Sequence, residues 1–234
     1  SRALFEEVLK KNAGKNIDWF FNTIIDSRAI IDYKFSDFSK TKDSVSFTIK
    51  NKTGTTVPIS VYGVKKNEII FKKWYEGIEN DSTFTLERKN ADKIVLNYKN
   101  EVPEYNLRNN WKSLKGFSPT NRPIKFAFMK DLEDPYYNQI LYVPMLAYNL
   151  YDGISPGIRF HNKTILDKPF TFDINPSYST KTNMLIGNFS FGVNQNYRNS
   201  RLYNIRYTMN GSYFHYAQDA TYLKLNPAVI MNIR

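Results

Sequence analysis

Between Gln139 and Arg234, apolar and polar residues alternate through successive stretches of the chain. Consecutive side chains on a β-strand point to opposite faces, so this alternation predicts strands with one oily flank and one polar flank. ISPGIRFHN sets Ile154, Pro156, Ile158 and Phe160 against Ser155, Gly157, Arg159 and His161. PFTFDINPSYS sets Phe170, Phe172, Ile174, Pro176 and Tyr178 against Thr171, Asp173, Asn175 and Ser177. MLIGNFSFGVN carries Leu185, Phe189, Phe191 and Val193 on one side. LYNIRYTMNGSYF places Tyr203, Ile205, Tyr207, Met209 and Tyr213 opposite Asn204, Arg206, Thr208, Asn210 and Ser212. YLKLNPAVIMNIR repeats the pattern with Leu223, Leu225, Val229, Met231 and Ile233, and QILYVPMLAYNLY, ahead of them all, is apolar on both sides. Six strands with short polar connections are expected, and their oily flank must meet either a protein core or lipid.

The charges narrow this choice. Arg159, Asp173, Arg206, Lys224 and Arg234 all fall on the polar parity. An Arg or Lys on a lipid face near mid-bilayer costs roughly 2–4 kcal/mol, so a membrane barrel requires this segregation, although a soluble amphipathic sheet also permits it. Three further features favour lipid. The polar flanks carry Asn, Ser, Thr and Gly rather than the Lys/Glu mixture of a water-facing surface. Tyrosines 142, 148, 151, 178, 197, 203, 207, 213, 216 and 222 concentrate here, several near strand ends where an interfacial girdle would sit. The connections 179–183 and 216–220 are as short as hairpin turns. Pro144, Pro156, Pro176 and Pro227 argue the other way, because proline removes a ladder hydrogen bond. A membrane barrel has at least about eight strands, so six would need completion by more chain or by another subunit, and an incomplete barrel in this chain is expected.

The preceding residues have another character. Residues 1–35 are expected to be helical: Ala3, Leu4, Val8 and Leu9 recur at helical spacing up to Asn12–Gly14. A second helix is expected in NIDWFFNTIID, capped by Asp18 or Asn16, with Ile17, Phe20, Phe21, Ile24 and Ile25 on one face. Residues 36–100 predict a β-sandwich from short alternating strands, including Val45, Phe47 and Ile49 in one and Val57, Ile59 and Val61 in another. Residues 101–138 are expected to be an irregular linker with a short helix near 124–132, and 139–234 to supply the barrel strands. The fold class is therefore mainly β: short N-terminal helices, a β-sandwich, then antiparallel transmembrane barrel strands.

Composition excludes some chemistry. With 41% hydrophobic residues, the 234-residue chain can bury a core. Its net charge of +11 is spread as scattered Lys and Arg without a block of five or six, which points to a solvated surface and not to nucleic acid. Without cysteine there is no disulfide, thiolate metal site or Cys nucleophile. His161 and His215 are far apart and neither has a ligand partner three or four residues on, so no zinc motif is present. DLEDP (131–135) lacks calcium-loop spacing and is expected to be a solvated turn. Trp19, Trp74 and Trp111 are expected to be core or linker anchors. No catalytic, cofactor-binding or metal-ligating residue is assigned in this chain.

The run GKNIDWFF, with Gly14, Lys15, Asn16, Ile17, Trp19, Phe20 and Phe21, resembles the end of the helical catalytic region in aminopeptidase-N-like gluzincin metallopeptidases. Thr23 and Ile24 depart from the Gln-Trp usual there. TVPISVYG (56–63), Trp74 and residues 92–111 look like the β-sandwich that follows in that family, and the remainder looks like the outer-membrane barrel fused to large members from Bacteroidota-type bacteria. The resemblance implies a zinc site upstream of Ser1, so zinc belongs to the parent and not to this chain. It also implies a bacterial outer-membrane location with the sandwich in the periplasm. The implied partners are outer-membrane lipid and other outer-membrane proteins, with peptide substrate reached only through the upstream region. A catalytically inactive subunit of a larger assembly and a soluble β-rich binding module remain the alternatives.

Overall fold

In a computed structural model, residues 1–116, 120–130, 132–197 and 200–234 are described. The fold is mainly β and divides into two units, Ser1–Arg122 and Pro123–Arg234.

The first unit begins with α1 (Arg2–Asn12). The Ser1 hydroxyl accepts the Leu4 N–H at 3.4 Å, Lys10 and Lys11 complement the dipole in the last turn, and Gly14 leaves the helix at φ 63°. The second expected helix is a single wide π-turn, Phe20–Ile25, preceded by the Asn16 side chain accepting the Asp18 N–H at 2.7 Å. Of its apolar face only Phe21 is buried. The helical expectation for 1–35 fails beyond Ile25, because Ile31, Tyr33 and Phe35 alternate into the core and start a strand.

Two sheets make the sandwich. One has the order β1 (Tyr33–Lys40), β2 (Ser44–Asn51), β5 (Asp81–Glu87). The other has the order β4 (Glu68–Tyr75), β3 (Ile59–Lys65), β6 (Lys93–Leu96), β7 (Trp111–Ser113). Tyr33, Phe35, Val45, Phe47 and Ile49 from the first share one core with Val57, Ile59, Val61, Ile94 and Leu96 from around the second. These include the two alternating triplets expected from sequence. Lys66 and Asn67, both at positive φ, form the two-residue turn that joins β3 to β4 with the correct twist. The buried Tyr33 hydroxyl accepts the Val57 N–H and donates to the Val57 carbonyl, each at 3.0 Å. Trp111 is buried and Trp19 packs against the core, but Trp74 is 38% exposed with the Lys72 ammonium 4.8 Å above its ring.

The second unit is one sheet in the order β14–β13–β12–β11–β10–β9–β8. Its strands are β8 (Ile124–Phe128), β9 (Asn138–Asn149), β10 (Gly153–His161), β11 (Phe170–Tyr178), β12 (Leu185–Asn196), β13 (Leu202–Ala217) and β14 (Ala220–Ile233). β9 to β14 form an antiparallel meander, matching the six expected strands in place and order. The stretch expected to be a linker with a helix near 124–132 instead contains β7 and β8. IKFAF alternates over too few residues to outweigh helix expectations, and it becomes a strand by pairing parallel to β9. Asp131 of the DLEDP stretch lies outside the described residues; Asp134 there accepts the Tyr136 N–H at 3.1 Å, as in a turn.

Candidate functional site

Register fixes what each face of the second sheet carries. Phe128, Tyr142, Phe160, Ile174, Phe189, Gly211 and Leu225 lie in one row across all seven strands. Neighbouring rows on the same face bring in Ile158, Phe172, Phe191, Met209, Val229 and Met231. Gly211 leaves room for the Phe189 ring, since a Cβ there would sit 2.4 Å from it. Pro144, Pro156, Pro176 and Pro227 are all on this apolar face and are carried in register, so they do not break the ladders.

Lys125, Arg159, Asp173, Arg206 and Lys224, the Asp, Glu, Lys and Arg residues within these strands, all lie on the other face. Two adjacent rows there read Arg159, Asn175, Asn188, Ser212, Lys224 and His161, Asp173, Ser190, Asn210, Asn226. Arg159 grips Asp173 with two hydrogen bonds, Nε to Oδ1 at 2.9 Å and Nη2 to Oδ2 at 2.6 Å, and Lys163 adds a third contact at 3.0 Å. The Asn175 amide donates to the Asn188 side-chain oxygen at 2.7 Å.

In β10 and β11 burial is inverted relative to a water-soluble sheet. The buried residues of β10 and β11 are polar or glycine: Gly153, Ser155, His161, Asp173 and Ser177. On the apolar face, Leu146, Leu185, Leu225, Val229 and Met231 are exposed, while Phe172 and Ile205 are only partly covered. The continuous hydrophobic core lies wholly in the first unit. A soluble domain rarely exposes so large a contiguous apolar surface. Tyr148, Tyr178 and Tyr222 lie at or near the ends of strands on one side of the sheet, and Tyr197 and Tyr203 on the opposite side.

One end of the sheet is locked by a cluster that the sequence did not disclose. Asp152 is fully buried in the β9–β10 turn. Its carboxylate accepts from the Asn149 amide at 2.7 Å, the His215 N–H at 3.0 Å and the Thr182 hydroxyl at 3.3 Å, and lies 2.7 Å from His215 Nδ1. The Ser179 hydroxyl donates to the Asp152 carbonyl at 2.8 Å, so one residue ties three hairpin ends. His215 falls on the apolar register and is kept there by this burial. His161 lies on β10, and its Nδ1 is buried without a partner.

The sandwich holds two hydrogen-bonded carboxylates, Glu104 and Glu101. Glu104 accepts from Tyr33 N–H at 3.0 Å, from Asn97 at 3.0 Å and from Asn110 at 2.7 Å. Burial pushes its carboxyl up to about 7 despite those bonds, and nearby Asp32 adds to the rise. Glu101 accepts from Ser60 and Tyr62, each at 2.6 Å, and pairs with Lys72; burial opposes ionisation, yet these partners hold its carboxyl below the usual range. Neither network could be found from spacing, since Glu104 meets Tyr33 across 71 positions.

Zinc, implied by the resemblance, finds no fitting ligand set: no group of three or more His, Cys, Asp or Glu side chains converges among the described residues. No helix is long and apolar enough to cross a membrane, which leaves strand-crossing untouched. The fold and surface thus define a chain with a β-sandwich and a largely antiparallel sheet that is oily on one face. Compared with protein-family models, curated proteins and solved structures, it matches none.

Proposed function

We propose that residues 123–234 form part of the wall of a bacterial outer-membrane β-barrel. They anchor a periplasm-facing, metallopeptidase-like unit to which the sandwich belongs. The observation that carries this reading is where burial falls: on β10 and β11 the covered residues are polar or glycine, while the apolar face, which carries none of the Asp, Glu, Lys and Arg strand residues, stays open. A spanning strand needs about 9–11 residues, and β9 to β14 have nine to sixteen. Tyrosines near the strand ends suit the headgroup level, and short turns suit one end of such a barrel. The seven-stranded sheet has two open edges, β8 and β14. Further strands, from this polypeptide or a partner, would close it, because lipid tolerates no open edge. The metallopeptidase-like part rests on the resemblance of residues 14–21, 56–63, Trp74 and 92–111, with zinc chemistry supplied outside this sequence.

Fractionation tests the anchor. Membranes carrying the protein are washed with high salt and with alkaline carbonate. Retention in the pellet and release by detergent are expected. Release by carbonate, or a monodisperse protein without detergent, would instead fit the soluble binding module.

A further inference from the structure

The polar face of the second sheet is electrically lopsided. Its only acidic strand residue, Asp173, has a side chain 9% exposed beneath Arg159 and Lys163, whose own side chains are 43% and 44% exposed. Arg206 and Lys224 are exposed, and neither has an acidic partner among the described residues. Lys125 pairs with Asp134 in the β8–β9 connection at 3.2 Å. Among the described residues the remaining acids of this unit stand off the face: Asp152 is buried against His215, Glu133 lies 3.9 Å from Lys168, and Asp167 and Asp219 occupy connections between strands. The surface that water meets is therefore cationic, and the negative charge is sunk beneath it.

The groups between these cations are small and neutral. The row from Arg159 to Lys224 passes through Asn175, Asn188 and Ser212, and the adjacent row passes through Ser190, Asn210 and Asn226. These side chains offer hydrogen-bond donors and acceptors without adding charge. Spaced positive charges in a low-dielectric wall raise the local concentration of negative ions and repel positive ones. No Phe, Tyr or Trp side chain lies in either row, so a stacking platform for sugar rings is not present there.

We infer that the polar face of β10–β14 is one wall of an aqueous passage that favours small anions over cations. This inference rests on the barrel reading above and deepens it. The test uses the protein purified from membranes in its native assembly and reconstituted into planar bilayers under a KCl gradient. The reversal potential is expected to carry the sign of chloride permeation. The double charge reversal Arg206→Glu and Lys224→Glu is expected to move it toward the potassium side, whereas a reversal in the β13–β14 turn, Asp219→Lys, leaves the sign unchanged. A conducting protein that prefers potassium, or whose selectivity ignores the double reversal, overturns the inference. Stable insertion without conductance also overturns it while leaving the anchor intact. Failure to insert at all refutes the barrel reading itself.

Discussion

Replacing Leu225 by Arg separates lipid from water as the medium outside the second sheet. Leu225 is in the middle of β14, opposite Gly211, and is 56% exposed. Arg at a water-exposed site of this kind changes stability by no more than about 0.5 kcal/mol, because little packing is lost. On the lipid face near the bilayer midplane the same change costs roughly 2–4 kcal/mol. At about 1.4 kcal/mol per decade, this is a loss of roughly 30- to 1000-fold in the folded, inserted population. Asn226→Arg is the internal control: it is one residue further along the same strand, exposed, and on the polar face. The assay is urea titration of the membrane assembly folded into lipid vesicles, read by protease protection. Leu225→Arg is expected to lower the midpoint strongly and Asn226→Arg to leave it nearly unchanged. Equal, small effects from both would refute the assignment of lipid to the apolar face.

Three more outcomes follow from the structure. Glu104 has its carboxyl raised from 4.5 to about 7, so the fold binds its proton more tightly than the unfolded chain does. Its contribution is full below about 4.5 and is lost as pH rises toward 7, amounting to about 3 kcal/mol; Glu104→Gln is expected to flatten that slope in denaturant titrations of the sandwich signal. Asp152→Ala leaves the buried His215 N–H without its acceptor, at about 1–3 kcal/mol, and removes the part-buried bond from the Asn149 amide; hydrogen exchange at the three hairpin ends is expected to accelerate together. Phe47→Ala removes a fully buried ring at the centre of the sandwich and is expected to cost about 3–5 kcal/mol, measured by chemical denaturation, without altering membrane retention.

How much of this was legible in the sequence varied with the range of the interaction. Five strands of the meander announced themselves by period-two alternation, which is local, and the first by an apolar run; each hairpin joins neighbours. Val45, Phe47 and Ile49 likewise signalled their inward face. The second helix was legible from its apolar spacing and its Asn16 cap, but not its π form, since the same spacing fits an ordinary α-helix. β8 was missed for a similar reason: its five residues carry weak alternation, and its parallel pairing with β9 is a tertiary choice.

The sequence by itself determined which residues share a flank and that none of the Asp, Glu, Lys and Arg strand residues sits on the oily one, since side-chain parity is a property of any extended chain. Tertiary structure alone decided that this oily flank lies open while Ser155, Asp173 and Ser177 are covered. It alone drew Asp152 to His215 and Glu104 to Tyr33, because burial and long-range hydrogen bonds depend on which segments meet, and alternation carries no record of that.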